Sequence, residues 1–276
     1  MKILFIDTET TGFNSKTQDM WQVAGYVTEN RKVLDTFNIK CQPVNWNTIS
    51  QGALDCQEPP MTREILKTYG TPRTAFLEFK AILNKHYDES TPEKFYIAGQ
   101  NVKAFDWRFL NAFWDRHKLK DEPSFQHYFN NMVSYDLLDL TRPLKKRGLL
   151  FTPESVDSKG KKIPKQPIAN VKLGTIIEAL DVKIQGPLHD AMADIEGTFK
   201  SFYIAVNIWE TILKKDPSAI NELSDFIQDL FRRMGITYTD ATQKKTFKKP
   251  NSKHTPIKKT FTKQTVNPKK TFKRKS

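Results

Sequence analysis

Lys2-Ile3-Leu4-Phe5-Ile6-Asp7-Thr8-Glu9-Thr10-Thr11-Gly12 begins as an apolar run, passes into carboxylates and breaks at Thr11-Gly12. An apolar run bounded by a turn signal reads as a buried strand from Lys2 to Glu9. Residues two apart in a strand share a face, so Asp7 and Glu9 point the same way at its end. Two carboxylates held that close repel unless a cation compensates them. Hard oxygen ligands suit Mg²⁺ or Mn²⁺, which leave coordination positions for water and phosphate. Two solvated strand-end acids explain the same letters, and the pair alone decides little.

Working outward, Trp21 to Thr28 and Lys32 to Cys41 are strand candidates hinged at Glu29-Asn30-Arg31, which together predict an antiparallel three-strand meander. Pro72 suits a first helical turn, and Phe76, Phe79, Leu83 and Tyr87 follow at helical spacing. A strand from Lys94 to Ala98 comes next. After Gly99-Gln100-Asn101, the positions Phe105, Phe109, Leu110, Phe113 and Trp114 define a helix with one buried face. Met132 to Tyr135 is a further short strand, ending at Asp136 and Leu137. This strand-helix-strand order adds parallel strands to the meander and predicts a mixed α/β sheet.

Between Arg142 and Val171 the chain is rich in Lys, Pro and Gly and reads as a basic loop or exposed hairpin. Leu173, Ile176, Ile177 and Leu180 make a short helix. Ile195, Phe199, Phe202, Val206, Trp209 and Leu213 mark the clearest helix in the chain. Asp216-Pro217 then caps a last helix carrying Ile220, Leu223, Ile227, Leu230 and Phe231, stopped near Gly235.

The 276 residues hold 44 Lys and Arg against 31 Asp and Glu, a net +13, and the excess is not spread evenly. Residues 241–276 carry 13 basic side chains and no acid, which leaves residues 1–240 formally neutral. The tail has no apolar periodicity and repeats one motif, with Lys244, Lys245 and Phe247, then Lys258, Lys259 and Phe261, then Lys269, Lys270 and Phe272. Such a segment buries too little surface to offset its ordering entropy and is expected to be disordered when free. No apolar run approaches the roughly 20 residues needed to span a bilayer, and Asp7 arrives too early for a signal-peptide core, so the expected location is the cytoplasm. Cys41 and Cys56 have no metal-ligand or disulfide spacing.

Two further groups change the weight of the opening pair. Asp106 lies early in a helix that follows a strand, where a carboxylate reaches the end of the sheet. His189 and Asp194 straddle another helix start. Taken singly, each acid is explained as a first-turn residue favoured by the helix dipole, and the histidine as a capping or packing residue.

Taken in order, Phe5-Ile6-Asp7-Thr8-Glu9-Thr10-Thr11-Gly12, Asn101-Val102 with Phe105-Asp106 and Phe109-Leu110, and His189-Asp190-Ala191-Met192-Ala193-Asp194 resemble the three exonuclease motifs of the DEDDh branch of DnaQ-like 3′-5′ exonucleases. That superfamily includes the proofreading epsilon subunit of bacterial DNA polymerase III. The resemblance covers roughly residues 1–207. It implies a ribonuclease H-like, mixed five-stranded sheet flanked by helices, with Asp7, Glu9, Asp106 and Asp194 gathered at one edge around two divalent metal ions, Mg²⁺ or Mn²⁺. It places His189 as general base, a task suited to a side chain that changes charge near neutral pH. It makes Thr10, Thr11, Gly12 and Phe13 the contacts to the 3′-terminal nucleotide and Asn101 a contact to the strand. Gln100 departs from the family, which often has His there. The basic stretch, about residues 143–171, is longer than a minimal domain of this kind requires and is an added grip on the backbone in this reading.

The implied division is an exonuclease domain over 1–207, an appended helical segment over 208–240 that packs on the body, and the Lys-rich tail over 241–276. The implied activity is metal-dependent 3′-5′ hydrolysis of DNA from its 3′ end. RNA is the alternative substrate, and a non-catalytic nucleic-acid-binding module is the alternative of another class. DNA single strands or 3′ ends are the expected partners, with a DNA polymerase or replication protein added if the role is proofreading, and no membrane. The tail reads as a non-specific nucleic-acid tether, with lysines for phosphates and rings for unpaired bases, or else as a solubilising or targeting segment.

Overall fold

The computed structural model describes residues 1–91 and 93–238. At its centre is β1 (Lys2–Thr10), which pairs antiparallel with β2 (Met20–Glu29), itself antiparallel to β3 (Lys32–Lys40). Two five-residue helices, α1 (Gln51–Asp55) and α2 (Arg63–Lys67), precede the long α3 (Pro72–His86). The chain then returns through β4 (Phe95–Gly99), parallel to β1, crosses by α4 (Asp106–His117) and adds β5 (Phe129–Asp136), parallel to β4. The order across the sheet is β3-β2-β1-β4-β5. This is the mixed five-stranded, ribonuclease H-like sheet expected from the sequence.

Because β1 has a neighbour on each side and helices on both faces, both of its faces are buried, and its run Ile3-Leu4-Phe5-Ile6 is apolar throughout. Leu4 and Ile6 face a core built with Phe76, Phe79 and Leu83 of α3 and Phe109, Leu110 and Trp114 of α4. Ile3 and Phe5 face the opposite core, made by α5 (Leu137–Lys146), α6 (Leu173–Ala179) and α7 (Ala191–Lys215). There Phe5 meets Phe199 and Phe202 edge-on, with centroids 5.2 and 5.3 Å away. Trp209 Nε1 donates to Leu140 O at 2.9 Å and locks α7 to α5. Among the described residues no helix is long and apolar enough to cross a membrane.

Two sequence expectations are corrected. The stretch after Arg142 does not begin as a loop, since Arg142 lies within α5. Leu137, Leu138, Leu140, Thr141 and Leu144 give that helix a buried face, and Asp136 caps it by accepting from Leu138 N–H at 2.9 Å. Pro143 and the run Lys145-Lys146-Arg147 hide this face from a reading by composition. The remainder forms a hairpin of β6 (Ser155–Val156) and β7 (Lys162–Ile163). Secondly, the apolar positions 220–231 are divided between a 3₁₀ turn at Pro217–Glu222 and α8 (Asp225–Arg233). Ser224 interrupts them because its hydroxyl caps α8, accepting from Ile227 N–H. Ile220, Leu223, Ile227, Leu230 and Phe231 are all buried in the α7-side core.

Candidate active site

Strand alternation lets three consecutive residues of β1 serve both faces of the sheet. Asp7 and Glu9 emerge on the α7 side, beside Asp194 in the first turn of that helix. One carboxylate oxygen from each of the three lies within 4.8 Å of the others. Thr8, between them, points to the α4 side. Its N–H and its hydroxyl both donate to Asp106 Oδ1, at 2.9 and 2.7 Å. Asp106 is the first residue of α4 and only 2% exposed. It stands outside the cluster of three, yet its charge raises Asp7 more than that of any other acid.

Two of the remaining acids, Glu9 and Asp194, have one oxygen fixed as well. Gln57 Nε2 donates to Glu9 Oε2 at 2.6 Å. His189 N–H donates to Asp194 Oδ1 at 3.2 Å, from a left-handed backbone conformation (φ 67°) that leaves the imidazole exposed. His189 and Asp190 line a cleft of about 220 Å³ with Gln57, Trp21, Lys40 and Tyr69.

This crowding makes ionisation unfavourable. Burial, then the charges of Asp106, Glu9 and Asp194, hold Asp7 well above the usual carboxylate range. Burial pushes Glu9 up to about 8 against the opposing Gln57 hydrogen bond, and raises Asp106 to about 7 against the two Thr8 bonds. Asp194 rises to about 6 through burial, opposed by His189. Four acids whose ionisation burial makes costlier, three of them with converging oxygens, fit a divalent cation of the Mg²⁺ or Mn²⁺ type.

The loop after β1 is held from within. Thr10 and Thr11 are buried. The Thr10 hydroxyl donates to Gly12 O at 2.7 Å, and the Thr11 hydroxyl accepts from Asp19 N–H at 2.9 Å. The hydroxyls expected to reach a nucleotide are therefore engaged inside the loop. Gly12 sits on the Gln18 amide so closely that a Cβ there would lie 1.9 Å from Nε2. Phe13, by contrast, is 81% exposed, with its ring 6.3 Å from that of Phe105. Asn101 is exposed with φ 61°, and its N–H donates to Asp136 Oδ1 at 3.0 Å. The tail positions Lys244, Lys245, Phe247, Lys258, Lys259, Phe261, Lys269, Lys270 and Phe272 lie outside the described residues.

A family model described as Exonuclease matches residues 4–202, a span that contains every one of these acids and His189. The chain belongs to the exonuclease family. This is the family that the DEDDh motifs implied. Among curated proteins none matches it. Solved structures similar to the chain include E. coli exonuclease I in complex with a dA16 oligonucleotide, at 18% identity and TM-score 0.55 over 84% of this chain and 43% of that one. Exonuclease I from Methylocaldum szegediense gives 18% identity and TM-score 0.56 over 85% and 44%. A product-bound exonuclease I gives 20% and 0.53 over 75% and 43%. At these identities the likeness shows the fold, and the chain spans less than half the length of those proteins.

Sequence reasoning missed three members of the site. Gln57 follows a helix too short to show periodicity. Thr8 enters the first motif only as the residue between the two acids, with no local signal of its long-range partner Asp106. Asp190 caps α7 by accepting from Met192 and Ala193 N–H, and its charge raises Asp7, Glu9 and Asp194. Its place directly before a strongly periodic helix is a cap signature that marks it in hindsight.

Proposed function

We propose that the protein is a metal-dependent 3′-5′ exonuclease that hydrolyses phosphodiester bonds from the 3′ end of DNA. The observation that carries the reading is the convergence of Asp7, Glu9 and Asp194 at one sheet edge, with Asp106 held beside them by Thr8. These four acids would hold the divalent ions. Bound ions supply an activated water and charge stabilisation at the phosphate and the leaving 3′-oxygen.

The chain's own groups do the rest. His189 would take the proton of the attacking water as its oxygen bonds to phosphorus and the P–O3′ bond breaks; the leaving 3′-oxygen takes up a proton from solvent and His189 returns its own there, giving a 3′-hydroxyl on the shortened strand and a released 5′-mononucleotide. Its backbone bond to Asp194 ties the base to the acid cluster. Phe13 offers an exposed ring at the loop after β1 for the terminal base, and Gly12 with the buried Thr10 and Thr11 holds that loop in place. Asn101, exposed just after β4, would contact the strand. DNA is favoured over RNA because a structural neighbour is a complex with a dA16 oligonucleotide.

The test is a time course on matched 5′-labelled single-stranded DNA and RNA, with Mg²⁺, with EDTA, and with Asp7→Ala. A Mg²⁺-dependent ladder shortening from the 3′ end, faster on DNA and lost in Asp7→Ala, is the expected result. Faster loss of RNA overturns the substrate assignment, and EDTA-resistant activity overturns the metal reading. A role in proofreading, with a polymerase partner, adds the expectation that mismatched 3′ ends are removed faster than matched ones.

A further inference from the structure

Two groups of basic side chains stand out from the last turn of α5 onward. Lys145 Nζ donates to Ala169 O, and Arg147 pairs with Glu222 and Asp216, so these serve the fold. Lys159, Lys161, Lys162 and Lys165 are exposed, and their amines make no ion pair or hydrogen bond among the described residues. All four belong to the hairpin around β6 and β7. The acid at its tip, Asp157, is engaged internally, its Oδ1 accepting from Lys159 and Lys161 N–H at 2.8 Å each. The turn is thereby preformed, with Gly160 at φ 79°.

The base of the hairpin is anchored. Leu150 and Ile168 are buried, and Ile168 N–H donates to Leu150 O at 3.1 Å. Its C-terminal stem is fastened beside the acids, since Gln100 Nε2 donates to Val171 O at 2.9 Å. Gln100 follows β4, which runs parallel to β1, so this is the edge where Asp7 and Glu9 emerge. Phe151 to Asp157, at about 3.3 Å per residue, makes an arm of roughly 20 Å. An edge crowded with carboxylates repels a polyanion, and unpaired ammonium groups on an arm rooted at that edge oppose the repulsion.

We propose that the hairpin over residues 151–167 is a backbone-holding arm, which grips the phosphates of the nucleic-acid strand away from the hydrolysed end. The inference rests on the exonuclease reading for its substrate but not for its measurement. The experiment uses the full chain and its Lys159→Gln, Lys161→Gln, Lys162→Gln, Lys165→Gln variant. Fluorescence anisotropy in EDTA reads binding of a labelled single-stranded DNA of about thirty nucleotides against salt, and kcat/KM is measured on that strand and on a trinucleotide.

With each lysine on one phosphate, the variant's salt slope falls by up to about 3 and its affinity by upwards of about tenfold at low salt. Turnover of the long strand falls likewise, and that of the trinucleotide is unchanged. Equal binding and equal salt slope for the two proteins overturn the arm, as expected if the lysines meet an acidic protein or only water. An equal loss on both substrates overturns it too, by locating the effect in hydrolysis or folding. If neither protein hydrolyses DNA yet the binding difference stands, the exonuclease reading fails and the arm survives.

Discussion

At the sheet edge, Asp7, Glu9, Asp106 and Asp194 are crowded, largely buried, and three of them are held on one oxygen by Gln57, Thr8 and His189. On the hairpin over 151–167, four lysines stand exposed without partners. Both regions carry charge that the protein does not neutralise, but the two are built to different standards of order. Metal coordination demands oxygen positions fixed within tenths of an ångström, and buried strands and helix starts supply them. Phosphate attraction tolerates wide geometry, and a surface hairpin is enough. The difference teaches that an uncompensated charge points to a ligand, while the rigidity around it points to how exacting that ligand is.

If the contrast holds, removing an acid has by far the largest effect. Asp194→Ala is expected to lower kcat by about 10³-fold or more, because several kcal/mol of transition-state stabilisation depend on the ions it helps to hold. Steady-state turnover of single-stranded DNA at saturating Mg²⁺ checks this. A loss below tenfold breaks the comparison by making the rigid edge as tolerant as the arm.

Next in size is the stability of the metal-free protein. Raised folded-state pKa values mean that the acids bind protons more tightly when folded, so their contribution is complete below about pH 4 and is lost as pH rises. Loss runs through about 6 for Asp194, 7 for Asp106 and 8 for Glu9. At about 1.4 kcal/mol per pH unit per group, coupling included, it reaches several kcal/mol. Urea unfolding in EDTA is expected to give lower stability at pH 8 than at pH 5, and millimolar Mn²⁺ is expected to restore it at pH 8. A flat profile means that the acids are solvated.

A smaller effect sharpens the point about rigidity. Thr8→Val keeps the β-branched shape and the N–H bond to Asp106 but removes the 2.7 Å hydroxyl bond. Mn²⁺ affinity is expected to weaken about tenfold, in the range found when a ligand loses its supporting hydrogen bond, and Thr8→Ser is expected to restore it. Equal affinity in all three proteins removes Thr8 from the account. Gln57→Leu is expected to act in the same direction through Glu9, which it leaves with no hydrogen-bond donor among the described residues and a higher cost of ionisation.

Much of this was legible in the chain because the relevant patterns are long or strictly periodic. A buried central strand announces itself through Ile3 to Ile6, and alternation alone puts Asp7 and Glu9 together. The 25-residue α7 keeps its apolar stripe throughout, which places Asp194 at its start. Parts that escaped reading depend on contacts distant in sequence. Gln57 reaches Glu9 across 48 positions and Thr8 meets Asp106 across 98, and no local pattern encodes either. Helix α5 was obscured by Pro143 and its lysines, and Ser224 divided an apolar series that periodicity alone runs together.

The central claim is that the crowded acids await divalent cations, and titration calorimetry of Mn²⁺ into the metal-free protein tests it most directly. At pH 7, in two buffers of different ionisation enthalpy, the account predicts binding accompanied by proton release, because acids held protonated by burial must ionise to bind metal. It also predicts that Asp7→Asn abolishes or strongly weakens that binding. Absence of Mn²⁺ binding, or binding without proton release that Asp7→Asn leaves unchanged, would contradict it.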